Sequence, residues 1–161
     1  MYNFAVVFVI GCLCAAGYSV PIDNRSLIGK SDQSIKSNAS ITISFYATNL
    51  SGCDLLSACD TTVTILCSSI YSDWKQCGQT KKIRNNNNPV YPELFTFEHV
   101  PGSSQRWRFD LKDHNLFGSK LMGSYSYIVD EYADLKENLI QNEVPDNRGI
   151  LWLQRTEEDV E

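Results

Sequence analysis

Four side chains that can offer oxygen to a metal ion lie in two polar stretches between predicted strands. Asp54 and Asp60 lie six residues apart in one stretch, and Asp113 and Asn115 lie in the other, residues 112–120. Calcium takes about 6–8 oxygen ligands in irregular geometry, so separate loops can share one ion. If the two stretches meet, the four residues form a calcium site; the alternative is that they are ordinary loop residues.

Four cysteines flank the acidic stretch and the strands that follow it. Cys53 and Cys59 directly precede its two acids, whereas Cys67 and Cys77 lie at the end of one predicted strand and near the start of the next. Three connectivities are possible. The short separations favour Cys53–Cys59, which would close the acidic stretch, and Cys67–Cys77, which would join a hairpin. Zinc is poorly supported, because the chain has no CxxC pair and no histidine near these cysteines.

The chain from residue 40 onward alternates apolar and polar residues in short runs, which is the period of a β-strand. In the first run Ile41, Ile43 and Phe45 are separated by single residues, and in the fifth Trp107 and Phe109 are spaced likewise. The seven predicted strands are 41–47, 61–66, 74–84, 94–100, 106–111, 122–129 and 150–153. Residues 133–142 are predicted to form a short helix or a strand-linking loop. This pattern, without a long amphipathic helix, indicates an antiparallel β-sandwich.

The N-terminal segment has the features of a signal peptide. Residues 1–19 contain no Asp, Glu, Lys or Arg, and residues 4–16 form an unbroken apolar and small-residue run. A membrane-spanning helix needs about 20 such residues, so the run has the length of a signal-peptide core. A signal anchor and a buried strand are the alternatives. We expect cleavage to remove Cys12 and Cys14 and the mature protein to be secreted.

The expected organisation after the signal peptide is simple. A polar lead-in covers 20–38, one domain covers 39–155 and an acidic tail covers 156–161. Three sequons, which are predicted glycosylation sites, agree with export: Asn24, Asn38 and Asn49.

Composition and motif content limit the classes of function. The 161 residues carry a formal charge of −5, which is not the basic surface of a nucleic-acid binder. No nucleic-acid partner is therefore expected. The sequence also lacks GxSxG, Walker, HExxH and GxGxxG motifs, so we expect no enzymatic activity. His114, one of two histidines, is expected to be an exposed loop residue.

Three separated motifs resemble those of the C2 domain family. Residues 49–65 resemble its first calcium loop and following strand, residues 88–97 its Asn-Pro-x-aromatic-x-Glu-x-Phe-x-Phe signature, and residues 111–123 its third loop. They occur in the family's order, and the chain is most similar to secreted members. The resemblance implies an eight-stranded antiparallel β-sandwich that binds calcium and phospholipid at one loop end. The eighth strand would come from residues 25–29 or 131–139.

The resemblance also assigns roles to individual residues. It makes Asp54 and Asp60 the first-loop calcium ligands. Asp113 matches the first third-loop ligand, Asn115 stands where a second Asp is usual, and the family's final third-loop acid is absent. Fewer charged ligands lower calcium affinity, yet extracellular calcium modules function with dissociation constants of about 10⁻⁴–10⁻³ M. Weak calcium binding and a calcium-independent site are therefore both open.

Membrane contact is expected at the loop tips and at a basic stretch. The large apolar tip residues are Leu55, Leu56, Leu116 and Phe117. They would either insert into lipid or pack against one another over the loops. The basic stretch on the third predicted strand consists of Lys81, Lys82 and Arg84. It would either bind anionic headgroups or form a solvated strand face.

Two hypotheses for the function follow from these observations. The first is a secreted C2-like domain that binds a membrane phospholipid surface with weak calcium dependence. The second is a secreted, calcium-independent module with a degenerate calcium site, whose partner is another secreted or cell-surface protein.

Overall fold

A computed structural model describes residues 39–53, 57–116 and 118–156 of the chain. The predicted signal peptide, the lead-in and the tail beyond residue 156 lie outside these residues. The same is true of six residues singled out in the sequence: Asn24, Asn38, Asp54, Leu55, Leu56 and Phe117.

Eight strands form two antiparallel four-stranded sheets. The strands are β1 (Ala39–Thr48), β2 (Thr61–Ser69), β3 (Ser72–Gln79), β4 (Val90–His99), β5 (Arg106–Asn115), β6 (Gly118–Ile128), β7 (Leu139–Glu143) and β8 (Ile150–Thr156). One sheet has the order β4-β1-β8-β7 and the other β3-β2-β5-β6. The eight-stranded antiparallel sandwich expected from the sequence is confirmed.

The core lies between the two sheets and is built from alternate residues of each strand. Ile43 and Phe45 of β1 are buried, as are Trp107 and Phe109 of β5. The fully buried ring of Phe109 lies 5.2 Å from the Phe45 ring and 5.7 Å from the Tyr127 ring. Because successive side chains of a strand point to opposite faces, this spacing directs one set of side chains inward.

The eighth strand is β7, which pairs with β8 at the edge of its sheet. Its predicted origin in residues 131–139 is wrong, and the other candidate, 25–29, lies outside the described residues. Residues Val129–Ala133 form a short helix, α1. Val129 and Tyr132 are both buried, which is the three-residue spacing of one helical face. The chain therefore turns helical at Val129 and returns to the sheet only at Leu139.

The third strand is shorter than predicted, because the chain leaves the sheet at Thr80. The Thr80 N–H donates to the Val63 carbonyl at 3.0 Å, and its hydroxyl oxygen accepts from the Val63 N–H at 2.9 Å. Beyond this point one isolated bridge joins Ile83 to Thr61. The basic stretch 81–84 therefore follows β3, and its predicted place on the strand is wrong.

The opposite end of the sandwich carries the β2–β3 hairpin. The Cys67–Cys77 disulfide joins the two strands, with Cα atoms 5.8 Å apart, as the sequence predicts. At the turn, Ile70 and Tyr71 are 61% and 89% exposed. Among the described residues, no helix has the length and apolar character that a membrane span requires.

Phe109→Ala should test the position of the core. We expect the free energy of unfolding to fall by about 3–5 kcal/mol, the usual cost of a large cavity at a buried aromatic. Leu121→Ala is the control, because Leu121 is 51% exposed and its loss should cost at most about 0.5 kcal/mol. Urea denaturation followed by tryptophan fluorescence measures both, and equal losses would contradict the assigned core.

Candidate functional site

Three loops meet at one end of the sandwich. They are the β1–β2 loop (residues 49–60), the β3–β4 loop (80–89) and the β5–β6 turn (116–117). The pairing of Thr61 with Asp113 places the start of β2 beside the end of β5. The third loop is much shorter than the predicted polar stretch, because β5 continues through Asn115.

Asp60 connects the first loop to the second loop and to the end of β5 through hydrogen bonds. Its N–H donates to Asp113 Oδ1 at 2.9 Å, and its Oδ1 accepts from the Asn85 N–H at 2.7 Å. Its carbonyl accepts from the His114 N–H at 2.8 Å. One residue of the first loop is thus fixed to the second loop and to the strand that leads into the third.

Asp113 is buried rather than exposed in a loop. It lies on β5 with 1% of its surface exposed. Its Oδ1 accepts the Asp60 N–H, whereas its Oδ2 is buried and has no hydrogen-bond partner among the described residues. A buried carboxylate oxygen without a partner is energetically unfavourable, and a bound cation would compensate it.

The asparagine run 85–88 holds the first loop with its side chains. Asn85 Oδ1 accepts from the Ala58 N–H at 3.0 Å, and Asn87 Oδ1 accepts from the Cys59 N–H at 3.1 Å. Asn88 Oδ1 accepts from the Asn49 N–H at 2.9 Å. These amide oxygens therefore already bind backbone donors. Four successive asparagines are typical of such side-chain-to-backbone bonding, because the short amide side chain reaches nearby backbone groups.

The disulfide Cys53–Cys59 closes the first loop, with Cα atoms 5.2 Å apart. This pair, too, is the one that the sequence predicts. Its two sulfur atoms lie within 4.8 Å of each other and of an Asp113 carboxylate oxygen. Since both sulfurs are in the disulfide, neither is a thiolate, and the group offers a metal only the Asp113 oxygen.

The oxygen donors at this end fit a hard cation. Asp60 and Asp113 supply carboxylates within one hydrogen-bonded unit, and Asn115 supplies an amide on the same strand as Asp113. Asp54, the fourth predicted ligand, lies outside the described residues. Calcium needs about 6–8 oxygens, so water would have to complete the coordination. Of the donor oxygens named here, Asp113 Oδ2 is the one that is buried without a hydrogen-bond partner among the described residues.

A cavity of about 310 Å³ opens beside Asp60. It is lined by Ser57, Asp60, Lys82, Arg84, His114, Asn115 and Leu116. Lys82 and Arg84 of the predicted basic patch therefore belong to the loop end. Lys81 does not line the cavity, and its N–H donates to Glu93 Oε1 at 3.2 Å.

His114 is half-buried on β5, so its predicted exposure in a loop is wrong. Its Nε2 lies 2.9 Å from the Thr62 hydroxyl oxygen. Burial lowers the pKa of His114, and the Lys82 ammonium lowers this pKa further, while the Asp113 carboxylate opposes both. The lowered pKa favours the neutral imidazole, which gives the cavity hydrogen-bonding capacity without charge. Because His114 directly follows Asp113 in the sequence, its place near the acidic residues of the loop end could have been predicted.

Of the predicted apolar tip residues, Leu116 is described and is 98% exposed. It lines the mouth of the cavity and projects from the β5–β6 turn. The sequon residue Asn49 is exposed at the first position of the β1–β2 loop, with a φ of 55°. Glycosylation there stays a prediction.

Comparison with known proteins shows which family profile and which solved structures this chain resembles. The profile of the C2 domain family matches residues 41–144, and no curated protein matches the chain in sequence. A C2 domain of plant extended synaptotagmin 1 is similar with a TM-score of 0.57 and 21% identity, over 72% of this chain and 91% of that one.

Two further solved structures are similar in fold. Human GIVD cytosolic phospholipase A2 has a TM-score of 0.54 and 20% identity, over 74% of this chain and 16% of that one. The calcium-bound pair of C2 domains of extended synaptotagmin 2 has a TM-score of 0.53 and 22% identity, over 72% of this chain and 45% of that one. At these identities the similarity shows the fold alone.

Removing the Cys53–Cys59 bridge should loosen the site selectively. In the chain-entropy account, Cys53→Ala/Cys59→Ala costs about 2 kcal/mol of stability, and Cys67→Ala/Cys77→Ala costs about 3 kcal/mol. We expect only the first variant to speed amide hydrogen exchange at Asp60 and Asn85, because only that bridge closes the first loop. Faster exchange there in the second variant alone would contradict this account.

Proposed function

This chain belongs to the C2 domain family, and we propose that it is a secreted module that binds anionic phospholipid membranes with weak calcium dependence. C2 domains generally bind phospholipid membranes and commonly bind calcium. The function is one of binding rather than catalysis.

The observation that carries the proposal is the group of oxygen donors at the loop end. The N–H of Asp60 bonds to Asp113 at 2.9 Å, which holds the two acids next to each other. Asp113 Oδ2 is buried without a partner among the described residues. A calcium ion bound there would neutralise the two acids and so remove their repulsion of an anionic lipid surface.

The calcium affinity should be low. Calcium affinity rises with the number of charged ligands, and Asn115 supplies an amide where the family usually has an acid. Basic residues lie near the donors: Lys82 and Arg84 line the cavity, and Lys120 lies opposite Asp113 in the register of β5 and β6. Their charge repels a divalent ion, so we propose a site that fills at extracellular calcium concentrations.

Leu116 supports a membrane role for the same end. It is 98% exposed at the tip of the β5–β6 turn, beside the cavity that contains the charged residues. Transfer of a fully exposed leucine into lipid would contribute about 1.5–3 kcal/mol. A polar site with an apolar tip at its mouth suits the boundary between headgroups and acyl chains.

Secretion is proposed from the cysteines and the N-terminal sequence. Two disulfides, Cys53–Cys59 and Cys67–Cys77, agree with an oxidising compartment. The signal peptide expected at residues 1–19 would direct the chain into the secretory pathway.

Vesicle co-sedimentation in calcium and in chelator tests the proposal. We expect calcium to raise binding to vesicles of phosphatidylcholine and phosphatidylserine, and Asp60→Asn to raise the half-maximal calcium concentration about tenfold, the effect of losing ~1.4 kcal/mol of binding free energy. The substituted amide keeps an oxygen for the Asn85 N–H. Asp73→Asn is the control, because Asp73 is an exposed acid on β3 and its loss removes the same charge.

The outcomes separate the two hypotheses. Binding that is the same in calcium and in chelator would refute calcium dependence while leaving lipid binding intact. If the protein bound no vesicle in either condition, the phospholipid proposal would fail, and the calcium-independent protein-interaction module would be favoured.

A further inference from the structure

The disulfide of the first loop lies against a buried carboxylate. The sulfurs of Cys53 and Cys59 and a carboxylate oxygen of Asp113 all lie within 4.8 Å of one another. Asp113 is buried, and its Oδ2 has no hydrogen-bond partner among the described residues. In the disulfide the two sulfurs are weak ligands, whereas the same sulfurs as thiolates bind metal ions strongly. Opening the bridge therefore brings three ligand groups together at one point.

Two of the three groups are held by hydrogen bonds that do not involve the bridge. Cys59 is buried; its N–H donates to Asn87 Oδ1 at 3.1 Å, and its carbonyl accepts from the Asn86 N–H at 2.9 Å. Asp113 belongs to the paired strand β5, and its Oδ1 accepts from the Asp60 N–H at 2.9 Å. These bonds keep the Cys59 sulfur and the Asp113 carboxylate close to each other independently of the disulfide.

Cys53 is the more accessible half of the bridge. It is partly exposed, whereas Cys59 is buried. Its Sγ lies 3.9 Å from Met122 Sδ, and the preceding segment is tied down by a hydrogen bond of 3.0 Å from the Ser51 N–H to the Arg148 carbonyl. Thiol–disulfide exchange depends on access to the sulfur that is attacked. Cys53 Sγ is thus the sulfur that an external dithiol can reach.

We propose that reduction of the Cys53–Cys59 bridge creates a zinc site whose protein ligands are the two thiolates and the Asp113 carboxylate. A dithiol supplies the two electrons. One of its thiolates attacks Cys53 Sγ, and Cys59 leaves as a thiolate. The second thiol then displaces Cys53 as the dithiol closes to a disulfide. The two protons of the dithiol pass to solvent when zinc binds both cysteine thiolates.

Zinc suits this ligand set in chemistry and in size. It takes thiolates at about 2.3 Å and carboxylate oxygens at about 2.1 Å in tetrahedral geometry, which separates two bound sulfurs by about 3.8 Å. Rotation of the accessible Cys53 side chain provides that separation once the bridge is open, and water takes the fourth position. The Asp60 N–H orients the Asp113 carboxylate from outside the ligand set. Calcium, which takes about 6–8 oxygens, gains nothing from the sulfurs.

The zinc site goes beyond the proposed membrane function and does not depend on it. Both ions need the Asp113 carboxylate, so zinc in the reduced chain would exclude the calcium ion proposed for the oxidised chain. The loop end would thus take a hard cation when the bridge is intact and zinc when the bridge is open.

Cobalt(II) tests the site in the full chain reduced with a phosphine, because thiolate ligation gives cobalt a sulfur-to-metal charge-transfer band. We expect the band in the reduced wild-type chain and in reduced Cys67→Ala/Cys77→Ala. We expect none in the oxidised chain or in reduced Cys53→Ala/Cys59→Ala. Zinc should abolish the band, since such sites bind zinc more tightly than cobalt.

The dependence on Asp113 distinguishes a folded site from free thiolates. In the reduced chain, Asp113→Asn should weaken zinc binding at least about tenfold, the smallest usual loss even for a residue that only supports a ligand. Asp73→Asn, which removes an exposed acid on β3, should leave it unchanged. An unfolded reduced chain would bind zinc equally in both variants. Zinc should also slow amide hydrogen exchange at Asp60 in the reduced wild-type chain.

Three results would overturn the zinc site. They are no band in the reduced wild-type chain, a band that persists without Cys53 and Cys59, and equal zinc affinity of the Asp113→Asn and Asp73→Asn chains. None of them bears on vesicle binding by the oxidised chain in calcium, which tests the proposed function separately.

Discussion

Asp60 is the residue on which the arrangement of the loop end depends. Its N–H reaches Asp113, its carboxylate receives the Asn85 N–H and its carbonyl receives the His114 N–H. Two of these bonds involve a carboxylate, the stronger class of hydrogen bond in proteins. The β1–β2 loop, the β3–β4 loop and the end of β5 are thereby held in one unit. The two acids, the cation pair and the apolar tip acquire their mutual positions from it.

Charges of both signs share a small space at this end, and that combination explains how an acidic protein could approach an acidic membrane. The formal charge of −5 repels an anionic surface, but salt screens such long-range repulsion within about 8 Å at physiological ionic strength. Charges next to the lipid then decide the outcome. Lys82 and Arg84 line the cavity beside Asp60, and under the proposed function a calcium ion beside Asp60 and Asp113 would add to their positive charge.

The sequence was sufficient for the sandwich, because strand alternation in 41–47 and 106–111 follows directly from burial on one face. It also predicted both disulfides from short separations. It misplaced Asp113, since polar residues at the end of β5 looked like a loop while backbone pairing with β2 and β6 continued through them. The sequence pattern placed Lys82 and Arg84 on a strand. The chain instead leaves the sheet at Thr80, where the Thr80 hydroxyl bonds to Val63, a residue distant in sequence. Such tertiary contacts leave no periodic signal.

Nuclear magnetic resonance of the full domain bound to vesicles that carry a spin-labelled headgroup would test the central claim most directly. The account predicts strong broadening of the Ser57, Lys82 and Leu116 amide signals, at the end where the three loops meet. It predicts little broadening at Ile70 and Tyr71, the exposed apolar turn at the opposite end. Broadening concentrated at Ile70 and Tyr71 would contradict it, because the membrane would then contact the end that lacks the acids, the cations and the cavity.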